Sequence, residues 1–151
     1  WYEENLFHSV PAALASGKWF SAAGDGKIAH VSREDAAHAA AAALAKQPNG
    51  NARYDITGAE LLDTREIARL ASEATGKPIE VVNVTDEQLV KGMIAAGMPA
   101  FLAPVYASFD TNTRAGNIAI ASDAVQKLTG RAPRPLKAFF AANKAALLHA
   151  H

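Results

Sequence analysis

The sequence contains no cysteine and no excess charge, since 15 Lys and Arg residues stand against 15 Asp and Glu residues. The lack of cysteine excludes disulfides, thiolate metal ligands and cysteine nucleophiles, and it favours a reducing compartment such as the cytoplasm. A net charge of zero removes the broad basic field with which proteins bind nucleic acids or anionic membranes. No apolar run approaches the roughly 20 residues that span a bilayer. We therefore expect neither nucleic acid nor membrane as a partner.

Several motifs that carry chemistry are absent as well. The chain has no Gly-x-Gly-x-x-Gly turn, no P-loop, no Gly-x-Ser-x-Gly elbow and no His-Glu-x-x-His pair. Its five histidines are scattered, so we expect no metal site. The glycine-rich segment at residues 24–26 is followed by strand-like residues. We predict a hairpin turn there, between strands over residues 19–22 and 27–31.

The residues that are present suit one globular domain over residues 1–151, because half of them are hydrophobic. Alanine-rich stretches with helical spacing alternate with β-branched stretches, which predicts an α/β fold rather than a helical bundle. Predicted helices cover residues 3–16 with a division at Pro11, 32–46, 63–75, 85–94, 98–106, 122–129 and the segment from Pro135 onward. Predicted strands cover residues 19–22, 27–31, 53–57 and 78–84, and a loop covers residues 47–51.

Two polar clusters at predicted helix starts could carry chemistry. Trp1-Tyr2-Glu3-Glu4-Asn5 leads into a helix whose backbone amides and dipole favour an anionic or amide-bearing ligand. Ser32-Arg33-Glu34-Asp35 opens another helix. Each cluster also has a plain structural interpretation, since aromatic residues commonly pack and a Ser-x-x-Asp start caps a helix. The residues alone favour the structural interpretation over ligand binding.

Five short motifs follow one another along the chain. They are WYEEN at residues 1–5, AAGDGKIA at 22–29, SREDAA at 32–37, YDITG at 54–58 and LTGRAP at 128–133. Their order resembles the carboxy-terminal half of the NmrA-like atypical short-chain dehydrogenases, in particular the NAD(P)H:quinone oxidoreductase type 2 group. The resemblance implies a helix-rich substrate lobe carrying a few strands of a Rossmann-like fold. It also implies that the amino-terminal half, with its glycine-rich loop, is missing from this chain.

The resemblance further implies the cofactor NADPH, with NADH as an alternative, and a quinone as substrate. It implies that the segment at residues 1–5 lies beside the nicotinamide, with Asn5 as the catalytic residue. The implied cofactor-binding residues are Trp1, Tyr2, Glu3, Asn5, Val31, Ser32, Arg33 and Asp35. The implied substrate-binding residues are Tyr2, Phe7 and Trp19, with the proline-broken stretch around Phe101 as a further apolar wall.

The Tyr-x-x-x-Lys pair of the classical short-chain dehydrogenases is absent. Its absence is compatible with quinone reduction, because the proton can come from water. It is equally compatible with a second hypothesis, a dinucleotide-sensing protein of the same family that regulates a partner without catalysis. A third hypothesis is an inactive chain that associates with itself and so covers its exposed strand edges.

Overall fold

The computed structural model describes residues 1–46 and 50–149, and it is an α/β structure in which helices predominate. A 3₁₀ helix, Glu3–His8, precedes the α-helices. These are α1 (Val10–Ser16), α2 (Arg33–Ala45), α3 (Thr64–Thr75), α4 (Asp86–Ala95), α5 (Ala103–Arg114), α6 (Ala124–Thr129) and α7 (Leu136–His149). The strands are β1 (Lys18–Ser21), β2 (Lys27–Ile28), β3 (Leu62–Asp63) and β4 (Glu80–Asn83). Residues 47–49 of the predicted loop lie outside the described residues.

The helix boundaries follow from local capping. The Asp63 side chain accepts a hydrogen bond from the Glu66 N–H, and the Glu66 side chain accepts one from the Asp63 N–H, which completes the predicted capping box of α3. Thr85 and Gln88 form the same arrangement at α4. Pro11 lies in the first turn of α1, where its missing N–H costs nothing, so the predicted division of this region is confirmed.

The strands form two small sheets. Strands β1 and β4 are parallel, with Trp19 opposite Val81, and β2 and β3 are antiparallel, with Ile28 opposite Leu62. Parallel pairing with helices between the strands confirms the predicted α/β class. Within the described ranges, no helix is long and apolar enough to cross a membrane.

The predicted hairpin around residues 24–26 is wrong. The turn itself exists, but the two strands that flank it join different sheets. The physical reason is a contact with α5, because a Cβ on Gly26 would lie 2.2 Å from the Thr113 carbonyl oxygen. The turn is therefore shaped by close packing against a helix and not by pairing of its own flanks.

The predicted strand over residues 53–57 is also wrong, since this segment has no regular structure. Its polar groups bond to the start of α6 instead: the Ser122 N–H donates to Thr57 Oγ1 at 2.8 Å, and the Ser122 hydroxyl donates to the Asp55 carbonyl. The segment then passes so close to His30 that a Cβ on Gly58 would lie 2.0 Å from the His30 carbonyl oxygen. These hydrogen bonds take the place of the backbone hydrogen bonds that a strand would form with a neighbouring strand.

The main core lies where the amino-terminal helices meet α3 and α7. Phe139, Phe140 and Leu147 of α7 are almost fully buried there, together with Val10 of α1. A smaller cluster, centred on Val31 and Ala39, packs against α6. Val31, two residues before α2, is thus anchored among packed apolar residues.

Candidate functional site

The structure brings the two predicted cofactor segments together. Tyr2 and Val31 pair as a parallel bridge, in which the Val31 N–H donates to the Trp1 carbonyl at 2.9 Å and the Glu3 N–H donates to the Val31 carbonyl at 3.0 Å. A helix begins directly after each segment. Ligands of α/β proteins bind beyond the carboxyl ends of parallel strands, which is where these two helices start.

Tyr2 and Arg33 contact each other where the two paired segments end, and Asn5 follows Tyr2 in the 3₁₀ helix. The guanidinium carbon of Arg33 lies 5.7 Å from the centre of the Tyr2 ring, a cation–π contact, and Tyr2 is 43% exposed. Asn5 lies in the 3₁₀ helix and is half-buried. Within the described parts of the chain its side-chain amide has no hydrogen-bond partner. These three side chains are therefore available to a ligand.

Glu3 has a different position, because its side chain is fully buried. It pairs with Arg134, whose Nε donates to Glu3 Oε1 at 3.0 Å and whose Nη2 also donates to that oxygen. Burial raises the pKa of Glu3, and the Arg134 guanidinium partly opposes this rise. Glu3 therefore ties the amino-terminal segment to the loop that precedes α7.

Ser32 and Asp35 are likewise engaged inside the protein. The Asp35 N–H donates to Ser32 Oγ at 2.9 Å, which caps α2, and Ser32 Oγ donates to Asp35 Oδ2 at 2.8 Å. The Arg134 N–H donates to the same carboxylate at 2.8 Å. Glu4 Oε1 accepts from the Arg33 N–H at 3.2 Å. The amino terminus of α2 is thus occupied by carboxylates of the chain itself, and these residues position the site.

Three buried polar atoms near the paired segments have no hydrogen-bond partner among the described residues: Glu3 Oε2, Glu4 Oε2 and His30 Nδ1, although Glu4 Oε2 lies 3.9 Å from Arg33 Nε in an ion pair. Burial lowers the pKa of His30 to about 4, so its imidazole is neutral near pH 7. A cavity of about 280 Å³ adjoins His30, and Arg134 and Leu136 also line it. Unpartnered buried polar atoms are uncommon in folded proteins. A ligand in the cavity would therefore add a hydrogen bond at His30, whereas the Glu3 side chain is fully buried.

An aromatic cluster beside Trp1 escaped the sequence analysis in part. The Trp1 ring meets the Phe109 ring edge-on with centroids 4.6 Å apart, and Tyr106 lies 5.6 Å from Phe109. Tyr106 ends the stretch around Phe101 that was predicted as an apolar wall, and Phe109 follows it. The signal that could have found them is the stretch from residue 92 to 109, which contains no charged residue.

Phe7 and Trp19, predicted as substrate-binding residues, both pack against the main core. Phe7 meets Phe139 edge-on at 5.4 Å, and Trp19 lies in β1. A packing function thus accounts for both residues, and their contact with a substrate stays a prediction. Among the described residues, no group of three or more His, Asp and Glu side chains is placed to hold a metal ion.

No protein-family model matches the chain. Quinone oxidoreductase 2 of Escherichia coli is 32% identical over 130 residues, which are 86% of this chain and 46% of that protein. An NAD(P)H azoreductase of Xenophilus azovorans is 32% identical over 145 residues, 96% of this chain and 51% of that enzyme. The crystal structure of the Escherichia coli NADPH-dependent quinone oxidoreductase complexed with NADPH superposes with a TM-score of 0.88 at 30% identity. That match covers 94% of this chain and 50% of the other.

The chain spans about half the length of the curated relatives it matches. The chain is an α/β structure, and its fold matches the carboxy-terminal portion of NmrA-like reductases. More particularly, the chain is related to the NAD(P)H:quinone oxidoreductases of type 2 within that family. The predicted resemblance is confirmed.

Proposed function

We propose that this chain supplies the nicotinamide side and the substrate lobe of an NADPH-dependent quinone reductase. One observation carries the proposal: two segments, each predicted to contact the cofactor, lie hydrogen-bonded side by side at Tyr2 and Val31, which are 29 residues apart in the sequence. The names of the relatives support the class of reaction, since they include a quinone oxidoreductase and an azoreductase.

The residues divide into those that contact the cofactor and those that position it. Tyr2 and Arg33 present an aromatic face and a cation, and Asn5 presents a free amide that can orient a carboxamide. Glu3, Ser32 and Asp35 hold these residues in place through Arg134. NADPH, or NADH in its place, supplies a hydride when it is bound.

The substrate is a quinone, an electron-poor ring that accepts hydride directly. The site needs no dedicated tyrosine acid, since a reduced quinone can take its proton from water. This fits the sequence, in which Tyr2 is followed four residues later by Leu6 and not by lysine.

The test joins this chain to the amino-terminal half of Escherichia coli quinone oxidoreductase 2 and measures NADPH oxidation with menadione. We expect turnover by the chimera and none by the chain alone. Asn5→Ala should lower kcat/KM by about tenfold or more, as expected for loss of one positioned hydrogen bond to a bound group. Asn51→Ala, in an exposed loop, is the matched control and should leave the rate unchanged.

Two outcomes would contradict the proposal. A folded chimera that binds NADPH but reduces no quinone would favour the dinucleotide-sensing hypothesis. Equal loss of activity in Asn5→Ala and Asn51→Ala would show that Asn5 has no specific part in the site.

A further inference from the structure

Helix α5 carries an apolar face that the protein leaves uncovered. Phe101 precedes the helix and is 76% exposed, Val105 is 51% exposed, and Phe109 is 37% exposed. Their spacing of four residues places them in one stripe along the helix. An aromatic stripe that stays in contact with water loses the stabilisation that burial would provide, and such patches mark binding surfaces.

The opposite face of α5 holds the helix firmly in place. Ala103 and Ala107 are buried there. Asp110 Oδ2 accepts hydrogen bonds from Ser21 Oγ at 2.8 Å and from the Ala22 N–H at 2.7 Å. Arg114 forms a bidentate pair with Asp86 at the end of the helix. The stripe is therefore presented by an anchored helix, and its rings need little ordering when a ligand arrives.

The stripe is continuous with the proposed nicotinamide edge. The Trp1 and Phe109 rings touch, and Tyr106 packs at an angle against Phe109. No charged residue occurs between residues 92 and 109. Rings in edge-on and tilted contact, on a segment without a charged side chain, offer apolar surface to an uncharged aromatic ligand. A charged ligand would lose hydration there without gaining a partner from that segment.

We propose that Trp1, Tyr106 and Phe109 form an aromatic platform that binds uncharged, planar aromatic electron acceptors. The proposal rests on the proposed function, because the platform would hold the acceptor beside the nicotinamide edge. It assigns substrate selection to α5 and not to the core residues Phe7 and Trp19. The platform should therefore bind such acceptors in the isolated chain, before any cofactor is present.

The test is an NMR titration of the 151-residue chain with menadione, followed through the aromatic resonances of Trp1, Tyr106 and Phe109. We expect saturable shifts confined to these rings. Phe109→Leu should weaken menadione binding about fivefold, the effect of losing one aromatic contact. Tyr106→Leu should weaken it similarly. Tyr54→Leu, which removes an exposed ring in the segment that bonds to α6, is the matched control and should bind like the parent chain.

The effect of charge is tested with a matched pair that does not react with amines: anthraquinone-2-sulfonate should bind several times more weakly than the uncharged 2-(hydroxymethyl)anthraquinone. The proposal is overturned if menadione shifts no α5 resonance, or if Phe109→Leu and Tyr106→Leu both bind as tightly as the parent. It is also overturned if these resonances shift with protein concentration and menadione adds nothing, since a second copy of the chain then covers the stripe. Binding at the platform together with a chimera that reduces no quinone would refute the proposed function alone.

Discussion

Replacing Arg134 by alanine should expose how the two cofactor segments are held together. Arg134 joins Glu3 through its side chain and Asp35 through its backbone N–H, so the alanine variant loses only the contact with Glu3. The Glu3 carboxylate would then be fully buried without a countercharge. Breaking a buried ion pair from one side costs about 3–5 kcal/mol. Because the Arg134 side chain is 35% exposed, we expect the lower end of that range, about 3 kcal/mol.

A double-mutant cycle with Glu3→Gln separates the electrostatic cost of Arg134→Ala from the ordinary loss of packing. Glutamine keeps an acceptor for Arg134 but carries no charge, so Arg134→Ala in that background should cost only about 1 kcal/mol. The assay is urea unfolding followed by circular dichroism at pH 7. The reasoning is refuted if Arg134→Ala costs the same in both backgrounds.

The pH dependence of Arg134→Ala gives a second check on the same contact. Arg134 lowers the pKa of Glu3, so its removal should raise that pKa further above the ordinary value. A carboxyl group with a raised pKa in the folded state binds more protons there than in the unfolded chain. The free energy of unfolding should therefore fall as the pH rises through the interval between the unfolded and folded pKa values of Glu3, and more steeply than in the parent protein.

Three further predictions concern single sites. Burial lowers the pKa of His30 from 6.5 to about 4. Between pH 6.5 and pH 4, His30 is therefore protonated in the unfolded chain but neutral in the folded protein. Stability should fall by up to about 3 kcal/mol as the pH drops through this range, and His30→Gln should remove this component from urea unfolding measured across that pH range. Gly26→Ala should destabilise by about 2 kcal/mol or more through its clash with Thr113, whereas Gly92→Ala, in open space on α4, should stabilise by about 1 kcal/mol in thermal unfolding. Ser32→Ala should cost about 1 kcal/mol by loss of the α2 cap, and an unchanged melting temperature would contradict that cap's contribution.

The helix boundaries could be predicted because their causes are local. The bond between Asp63 and the Glu66 backbone joins residues three positions apart, and the sequence displays both partners. Gly76 and Gly130 end their helices at positive φ, as glycine can without strain. Such features depend on a few neighbouring residues and need no knowledge of the rest of the fold.

The strand partners and the contacts within the site could not be predicted in this way. Strand β1 pairs with β4 across about 60 residues, which is why the local hairpin interpretation was wrong. Arg134 reaches Glu3 across 131 residues, and Trp1 meets Phe109 only through the placement of α5. The motifs singled out two segments that the structure pairs at Tyr2 and Val31, and the contact of these segments with a cofactor stays a prediction. The motifs could not show that Glu3 and Asp35 point inward while Tyr2 and Asn5 remain free.

The position of the nicotinamide is the central claim, and one NMR measurement tests it directly. In the chimera loaded with NADPH, nuclear Overhauser effects between the nicotinamide ring protons and the ring protons of Trp1 and Tyr2 would place the ring beside the segment that pairs with Val31. We expect these effects, and we expect them to persist in the Asn51→Ala control. Bound NADPH that shows contacts to neither ring would contradict the proposed site.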